Sequence, residues 1–256
     1  MRWAVVVPSV GRSSLHALLR SLAAQDGPLP DAVVVVDDRR EATEPLDLSD
    51  VGLQPRTTVT VLHGGGRGPA AARNTGWRAT DATDTEWVAF LDDDVLLPHG
   101  WAAALERDLT GVGDGVGGVQ GRIEVPLPAH RAPTDWERNT AGLRDAAWAT
   151  ADMAYRRAAL EAVAGFDERF PRAYREDADL ALRVRAAGWE LGRGSRHVIH
   201  PVRPADRWVS VRVQAGNADD PLMARLHGPR WRERASVPPG RRSRHVAVTA
   251  AALGTV

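Results

Sequence analysis

The 256-residue sequence contains neither cysteine nor lysine. The missing cysteine excludes disulfides, thiolate nucleophiles and cysteine-ligated zinc, so histidine and carboxylate side chains are the metal ligands that remain. All 33 basic side chains are arginine. The missing lysine therefore excludes Schiff-base chemistry and every phosphate site that depends on a lysine.

Net charge and long apolar runs are missing too. The 33 basic and 33 acidic residues cancel, so nothing indicates nucleic acid as a partner. No segment reaches the roughly 20 apolar residues of a membrane span, and the first residues do not have the basic region of a signal peptide. We expect a compact protein, because 43% hydrophobic residues suffice for a core. The missing cysteine is compatible with a reducing location, and we expect the protein to be cytoplasmic.

The last residues form a separate apolar stretch. Residues 246–256 are apolar and follow Arg241, Arg242 and Arg244. A stretch of this length is too short to span a bilayer. It predicts either a docked terminal helix or the start of a truncated membrane segment or further domain. In the second case we expect peripheral contact with the inner face of the membrane.

Short β-branched runs alternate with helical patterns in the first part of the chain, which is typical of a mainly parallel sheet. The runs predict strands over residues 4–7, 32–36, 58–62 and 87–91, and a fifth over 119–125 after a glycine-rich stretch. Ser13 or Ser14 is a suitable N-cap for a helix that ends at Ala24. Beyond His200 the pattern indicates peripheral helices. The sequence therefore predicts an α/β fold with a helical C-terminal end.

Polar residues follow each of the first four predicted strands. They are Pro8-Ser9, Asp37-Asp38, the loop over 63–68 with Arg67, and Asp92-Asp93-Asp94. The carboxyl ends of parallel strands meet at one edge of a sheet, and ligands bind there. We expect these four loops to build one site.

The triplet Asp92, Asp93 and Asp94 is the most specific local feature. Adjacent carboxylates repel one another, so a strand end tolerates them only in contact with water or a cation. In an extended chain Asp92 and Asp94 point to the same side, where both can ligate one divalent ion or one of them can bind a ribose. A solvated acidic turn before Pro98 is the alternative interpretation.

A second acidic pair, Glu176 and Asp177, opens a predicted helix that ends near Gly188. The helix dipole stabilises acidic residues in a first turn, which is by itself a sufficient structural reason for them. The functional interpretation makes Asp177 the general base that takes a proton from an acceptor hydroxyl.

Arginine and histidine supply the remaining candidates. Arg67 and Arg73 flank the start of a helix predicted near Pro69, where either can meet phosphates. A surface arginine beside a glycine-rich turn is the alternative. His197 and His200 fall on opposite faces of a predicted strand, so at most one enters a given site. We expect His200 to be the third metal ligand beside the Asp-x-Asp pair.

Six motifs occur in order between about residues 3 and 201. They are Val-Val-Val-Pro-Ser, Val-Val-Asp-Asp, Gly-x-x-x-Ala-Arg-Asn-x-Gly, Phe-Leu-Asp-Asp-Asp, Met-Ala-Tyr-Arg-Arg with Gly-Phe-Asp-Glu, and Glu-Asp-x-Asp-Leu. The ordered set resembles the family 2 glycosyltransferases with the GT-A fold. The resemblance implies a Rossmann-like, mainly parallel sheet flanked by helices. It also implies an inverting transfer from a nucleotide-diphosphate sugar to an acceptor hydroxyl, assisted by Mn²⁺ or Mg²⁺.

The resemblance assigns roles to single residues. Asp177 corresponds to the general base with Glu176 as its catalytic neighbour, and Asp94, Asp92 and His200 correspond to the metal ligands. The donor-binding residues that it implies are Pro8, Ser9, Asp37, Asp38, Arg67, Arg73, Asn74, Asp92 and Asp93. One departure leaves the role of Asp38 open, because Asp-Asp-Arg-Arg-Glu stands where Asp-Asp-Gly-Ser is usual.

The resemblance also divides the chain. Residues 1–203 are expected to form the catalytic domain, with a nucleotide-binding half over 1–97 and an acceptor half over 98–203. Residues 204–256 are expected to form a helical extension, complete or truncated. The expected acceptor is a glycan, a lipid-linked molecule or a small molecule. The Gln/Arg-x-x-Arg-Trp signature of processive synthases is absent, which favours transfer of a single sugar.

Three other functions fit part of the pattern. A haloacid-dehalogenase-type phosphatase also uses Asp-x-Asp after a buried strand, but it requires a lysine and a Thr or Val where Leu96 stands. A sugar nucleotidylyltransferase normally opens with a lysine-bearing glycine-rich loop, whereas residues 8–12 are Pro-Ser-Val-Gly-Arg. A non-catalytic nucleotide-sugar-binding protein would keep every residue named above, so an activity assay is needed to separate it from an enzyme.

Overall fold

A computed structural model describes residues 1–238, and its centre is one mixed sheet. The strands are β1 (Trp3–Ser9), β2 (Ala32–Asp37), β3 (Thr58–His63), β4 (Trp87–Leu91), β5 (Val116–Glu124), β6 (Asp152–Arg156) and β7 (Glu190–Ile199). Their order across the sheet is β3-β2-β1-β4-β6-β5-β7. Strand β6 runs antiparallel to both neighbours, while the other pairs are parallel. The predicted mainly parallel α/β fold is confirmed.

Helices flank the sheet and form the C-terminal part of the described chain. They are α1 (Ser14–Ala23), α2 (Pro69–Ala79), α3 (Trp101–Thr110), α4 (Asp135–Ala141), α5 (Arg157–Ala162), α6 (Glu176–Ala186), α7 (Val209–Arg212), α8 (Asp220–His227) and α9 (Trp231–Arg234). The predicted helical C-terminal end is confirmed by α7 to α9. The apolar run over 246–256 and the arginines before it lie outside the described residues. Within residues 1–238, no helix combines the length and the apolar character that a membrane crossing requires.

Valine-rich segments form the central strands because both faces of the sheet are covered. Successive side chains of a strand point to opposite faces. Val5 therefore packs in one apolar cluster with Leu18 of α1, and Val6 packs in a second cluster with Trp77 of α2. The two clusters hold the sheet between its helices.

Helix α1 lies close to its predicted range, but its start does not depend on a serine cap. Ser13 has helical backbone angles and its side chain makes no capping hydrogen bond. The Ser14 hydroxyl is buried without a hydrogen-bond partner. The buried face consists of Leu15, Leu18, Leu19 and Leu22, as the spacing predicts. Apolar burial therefore positions this helix.

The first four strands end along one edge of the sheet, as predicted. Ser9 pairs with Asp37 and Asp37 with His63. The Asp38 backbone N–H donates to the Ser9 carbonyl at 2.7 Å. Because β4 also pairs parallel with β1, the residues that follow β4 lie on the same edge. The candidate site is built there.

The segment after residue 204 packs against α6. Its apolar contacts form a third cluster made of Phe170, Ala178, Leu182, Met223, Trp231 and Ala235. The Arg175 side chain, at the start of α6, donates from Nε to Asp220 at 2.9 Å. The extension thus supports the helix that carries Glu176 and Asp177. The domain boundary at 203/204 stays a prediction.

Candidate active site

The acidic triplet after β4 divides its side chains between two directions. Asp93 is buried, and its carboxylate accepts hydrogen bonds from Ser9 Oγ at 2.6 Å and from Arg12 at 2.7 Å. Asp92 and Asp94 face the other way, as expected for alternate residues of an extended chain. Asp93 therefore ties the β4 edge to the loop after β1, which leaves the outer two carboxylates for the site.

Asp92, Asp94 and His200 come together although His200 is distant in sequence. Ligand atoms of these three side chains lie within 4.8 Å of one another. Backbone hydrogen bonds explain the meeting: Leu96 and Ile199 exchange N–H···O bonds of 2.8 and 2.9 Å, and the His200 N–H donates to the Glu124 carbonyl at 2.7 Å. The turn after β4 is thereby fixed against the end of β7.

The donor set of this cluster fits a divalent cation. Two carboxylates and a neutral imidazole are ligands that Mn²⁺ accepts, and the carboxylates also suit Mg²⁺. Burial raises the pKa of Asp94, and the neighbouring His200 opposes that increase. A half-enclosed pair of carboxylates that repel one another is stabilised by a positive charge between them. These residues would hold the ion that the family 2 resemblance implies.

Arg203 supplies positive charge to this cluster, and sequence reasoning missed it. Its Nε lies 2.9 Å from Asp94 Oδ2, while His200 Nε2 lies 3.4 Å from the other oxygen of the same carboxylate. The arginine side chain is 42% exposed. Its position three residues after His200, between two prolines, was the available sequence signal.

Asp177 lies in the first turn of α6 and is held by Thr150. The Thr150 backbone N–H and hydroxyl each donate to the Asp177 carboxylate at 3.1 Å. Thr150 precedes β6, whose first residue pairs with Leu91 at the end of β4, so the antiparallel strand brings it to the site. The Asp177 side chain keeps 26% exposure. Burial raises its pKa, and Arg73 opposes this effect.

Glu176 is enclosed, in contrast to its neighbour. Its side chain is 3% exposed and accepts a hydrogen bond from Arg73 at 3.0 Å. Burial, with help from the adjacent Asp177, raises the pKa of Glu176. The carboxylate therefore has no open path to a substrate. The catalytic role of Glu176 stays a prediction.

Arg73 lies at the centre of the site instead of at its surface. One guanidinium nitrogen donates to Glu176, and a second donates to Asp92 at 2.9 Å. Burial disfavours the arginine charge, but the attraction of Asp92, Asp177 and Glu176 outweighs it and raises the Arg73 pKa. The residue predicted to meet donor phosphates thus joins the acidic triplet to the start of α6.

The other predicted donor residues line the loops at the β1–β3 side. Both oxygens of Asp38 accept backbone N–H bonds, from Arg67 at 3.0 Å and from Gly68 at 2.8 Å. Asp37 pairs with Arg39 at 2.6 Å. Asp38 therefore positions the glycine-rich loop, and a cavity of about 610 Å³ lies beside that loop. Pro8, at the end of β1, is half-buried close by.

Arg67 and Asn74 both make hydrogen bonds to protein groups, but only Arg67 also lines the cavity. Arg67 is 55% exposed and donates to Glu168 at 3.2 Å. Asn74 is buried, donates to the Phe166 carbonyl and accepts the Phe166 N–H, both at 2.9 Å. Asn74 thus fastens α2 to the segment before α6. Arg67 is the more accessible of the two for a donor.

The pre-mycofactocin glycosyltransferase of Mycobacterium tuberculosis, in strains CDC 1551 and H37Rv, is 31% identical over 236 residues. The alignment covers 86% of this chain and 47% of the relative. The chain therefore spans about half the length of the curated relatives it matches.

Solved structures share the fold at lower identity. S. aureus TarS in complex with UDP-GlcNAc is 19% identical with a TM-score of 0.58, over 82% of this chain and 61% of TarS. M. tuberculosis glucosyl-3-phosphoglycerate synthase, in complex with Mn²⁺, UDP-glucose and glycerol 3-phosphate, is 17% identical with a TM-score of 0.54, over 93% and 82% of the two chains. These likenesses establish the GT-A fold.

The family itself follows from the sequence match. Residues 4–161 match the family described as Glycosyl transferase family 2. The match extends from β1 through the acidic triplet to α5, which is more than half of the chain. The chain therefore belongs to glycosyl transferase family 2.

Proposed function

We propose that this protein transfers a single sugar from a nucleotide-diphosphate sugar to an acceptor hydroxyl, with inversion at the sugar carbon. One observation carries the proposal. A cluster suited to a divalent cation, Asp92, Asp94 and His200, shares an edge of the sheet with a separate, partly exposed carboxylate, Asp177, on α6. Family membership supports the same reaction class.

Asp177 is the proposed general base. Direct inversion requires a base on the face of the sugar carbon opposite to the leaving group, and a base from a different element than the diphosphate site fits that requirement. The metal-type cluster comes from the ends of β4 and β7, whereas Asp177 comes from α6. Thr150 donates hydrogen bonds to the Asp177 carboxylate from one side. The lone pairs that remain on the carboxylate are then directed at the acceptor.

The diphosphate end of the donor is assigned to the carboxylate cluster. A divalent ion held by Asp92, Asp94 and His200 would supply the positive charge that stabilises the departing nucleoside diphosphate. Asp38 and the glycine-rich loop would shape the nucleoside end, next to the 610 Å³ cavity. A glycan, lipid-linked or small-molecule acceptor and a cytoplasmic location, with peripheral membrane contact, stay predictions from the sequence.

Thermal stabilisation by UDP-, GDP- and dTDP-sugars, each with and without Mn²⁺, tests the donor assignment. We expect a shift that requires both nucleotide and metal, because binding to the folded state raises its melting temperature. The base identity follows from the nucleotide that gives the shift. No shift with any member of the panel would contradict the proposal.

Two variants separate binding from chemistry. We expect Asp94→Asn to weaken metal-dependent donor binding, and Asp177→Asn to keep donor binding while transfer is lost. Asp114→Asn, at an exposed position between α3 and β5, is the matched control and should behave as wild type. Equal loss of donor binding in the Asp94 and Asp177 variants would contradict this division of roles.

A further inference from the structure

Arg73 is a buried cation surrounded by acidic side chains of both halves of the site. Its side chain is 3% exposed. Guanidinium nitrogens lie 3.0 Å from Glu176, 2.9 Å from Asp92 and 4.0 Å from Asp177. The central carbon of the Arg73 guanidinium, Cζ, also lies 5.6 Å from the centroid of the Phe166 ring. One positive charge thus faces three carboxylates in a poorly solvated place.

This geometry leaves little for a phosphate. Both terminal nitrogens of Arg73 already donate to carboxylates, and the remaining Nε is buried without a hydrogen-bond partner. A donor phosphate would have to displace a buried ion pair, which leaves an uncompensated carboxylate behind. The fork geometry of arginine instead fits two carboxylates at once.

We propose that Arg73 is a positioning residue, shared between Asp92 and the Glu176-Asp177 pair, that keeps Asp177 ionised and oriented as a base. The inference rests on the proposed function of the site. It assigns Arg73 to the charge balance of the site and removes it from the diphosphate subsite. Glu176 accepts one hydrogen bond from the Arg73 guanidinium and Asp92 accepts another. Arg73 thereby connects the start of α6 to the metal-type cluster.

The groups that face Asp177 decide the sign of the effect. Burial and the charge of Asp92 raise its pKa, while Arg73 and the hydrogen bonds from Thr150 lower it. The buried Tyr155, on β6, also faces the carboxylate, and its own pKa is raised by burial and by Asp177. If the Arg73 charge is removed, the opposing contribution disappears. Asp177 would then accept a proton at higher pH.

Arg73→Gln and Arg73→Lys test the inference in the full chain. For Arg73→Gln we expect the acidic limb of kcat/KM to move upward by about 1 to 3 pH units. The Kd of the metal-nucleotide pair at pH 8 should stay within about 3-fold of wild type. Arg73→Lys keeps the positive charge but loses the two-pronged hydrogen-bonding geometry of the guanidinium. It should return the acidic limb of kcat/KM to its wild-type position, while kcat stays below that of wild type. Arg78→Gln, one turn further along α2 and half-exposed, should match wild type throughout.

A second readout does not depend on transfer. The Asp177 carboxyl carbon can be titrated by ¹³C NMR in the wild type and in Arg73→Gln, with Asp177→Asn used to assign the signal. We expect a higher pKa for Asp177 in the variant. If Arg73→Gln does not fold, Arg73→Gln/Glu176→Gln removes the paired charges together and should show a smaller increase in the same direction, because the loss of the Glu176 charge opposes it.

Two results would overturn the inference. One is an unchanged Asp177 titration in the variants. The other is a Kd for the nucleotide raised tenfold or more with an unshifted pH limb, because this identifies Arg73 as a phosphate ligand. Failure of the proposed function would look different: the wild type itself would bind no nucleotide sugar, whatever the titration shows.

Discussion

Adjacent aspartates do different work in this site. Asp93 is buried and bonded to Ser9 and Arg12, whereas Asp92 and Asp94 face His200 and two arginines. The alternation of an extended chain accounts for the difference. The negative charges of Asp92 and Asp94 are each paired with an arginine, Arg73 and Arg203. These arginines are therefore the residues to test.

Arg203 is expected to compete with a metal ion for Asp94. Its Nε lies 2.9 Å from that carboxylate, so a cation that binds Asp94 must replace a partly exposed ion pair. Arg203→Ala should increase the affinity for Mn²⁺ alone by about 2- to 5-fold, since exposed pairs are worth up to about 1 kcal/mol. Isothermal titration with Mn²⁺ measures this. Arg193→Ala, at an exposed position on β7, is the control, and an unchanged or weaker affinity in Arg203→Ala contradicts the prediction.

Thr150 is expected to orient Asp177. Thr150→Val removes the hydroxyl hydrogen bond but keeps the backbone one. Hydrogen bonds to charged groups are worth about 1.5 to 3 kcal/mol, so kcat should fall about 10- to 100-fold with little change in donor Kd. Thr150→Ser retains the hydroxyl and should recover most of the activity. Steady-state kinetics of both variants decide the matter, and a Thr150→Val enzyme as fast as wild type would refute this role.

Motif residues were predictable, and their partners were not. The Asp-x-Asp pair, Asp177 and His200 could be identified because their residue types in order carry chemical meaning. Thr150 carries no signal, because a threonine before a strand is common and its contact depends on the direction of β6. Arg73 was found but its contacts were not, since a sequence does not reveal that three carboxylates converge on one guanidinium.

At the scale of elements, a buried ion pair network joins α3, β6 and β7. Arg196 of β7 is fully buried and donates to Asp152 of β6 at 2.8 Å and to Asp108 of α3 at 3.1 Å. Gly121 and Gly194 make room for the two carboxylates, because a Cβ at either position would overlap an aspartate oxygen. The network fixes β7, and so His200 that follows it.

Arg196→Met is expected to destabilise the protein strongly. Removal of one partner of a buried ion pair leaves unpaired charges and costs about 3 to 5 kcal/mol. Urea unfolding followed by circular dichroism measures the loss. The double variant Arg196→Met/Asp152→Asn removes one of the stranded charges and should recover part of the stability. A single variant within 1 kcal/mol of wild type would show that the network contributes little.

Strand boundaries show where pattern reasoning stops. The first four strands match their predicted ranges closely, because short runs of β-branched and apolar residues bounded by polar or glycine-rich segments are distinctive. Strand β5 begins at Val116, ahead of the predicted 119. Its glycines suggested a loop, but Gly117 and Gly118 lie inside the strand, where Trp189, Met153 and Tyr155 cross them too closely for a Cβ. A packing requirement, absent from local propensity, decided that boundary.

At the scale of the whole molecule, the C-terminal helices act as a brace for α6. Trp231 is 3% exposed and belongs to the cluster with Phe170 and Leu182. His227 Nε2 also donates to the Asp179 carboxylate of α6 at 2.8 Å. Helix α6, which carries Asp177 in its first turn, is thus held on one face by the sheet and on another by the extension.

Trp231→Ala is expected to cost about 3 to 5 kcal/mol, the usual range for a large buried aromatic side chain. Trp208→Ala is the matched control, since Trp208 is 57% exposed, and it should change stability little. Thermal unfolding of the two variants compares them directly. Equal melting temperatures would mean that the packing of Trp231 against α6 contributes little to stability.

The reversed direction of β6 bears on how such an enzyme can diversify. The first residue of β6, not its last, lies at the sheet edge that carries the candidate site. The long connection from β5, with α4 in its middle, therefore places Thr150 beside Asp177. Insertions, deletions or exchanges in that connection can reshape the acceptor side without disturbing the β1–β4 half that would bind the donor. One inverted strand thus separates the β1–β4 edge, proposed for the donor, from the connection that lies on the proposed acceptor side.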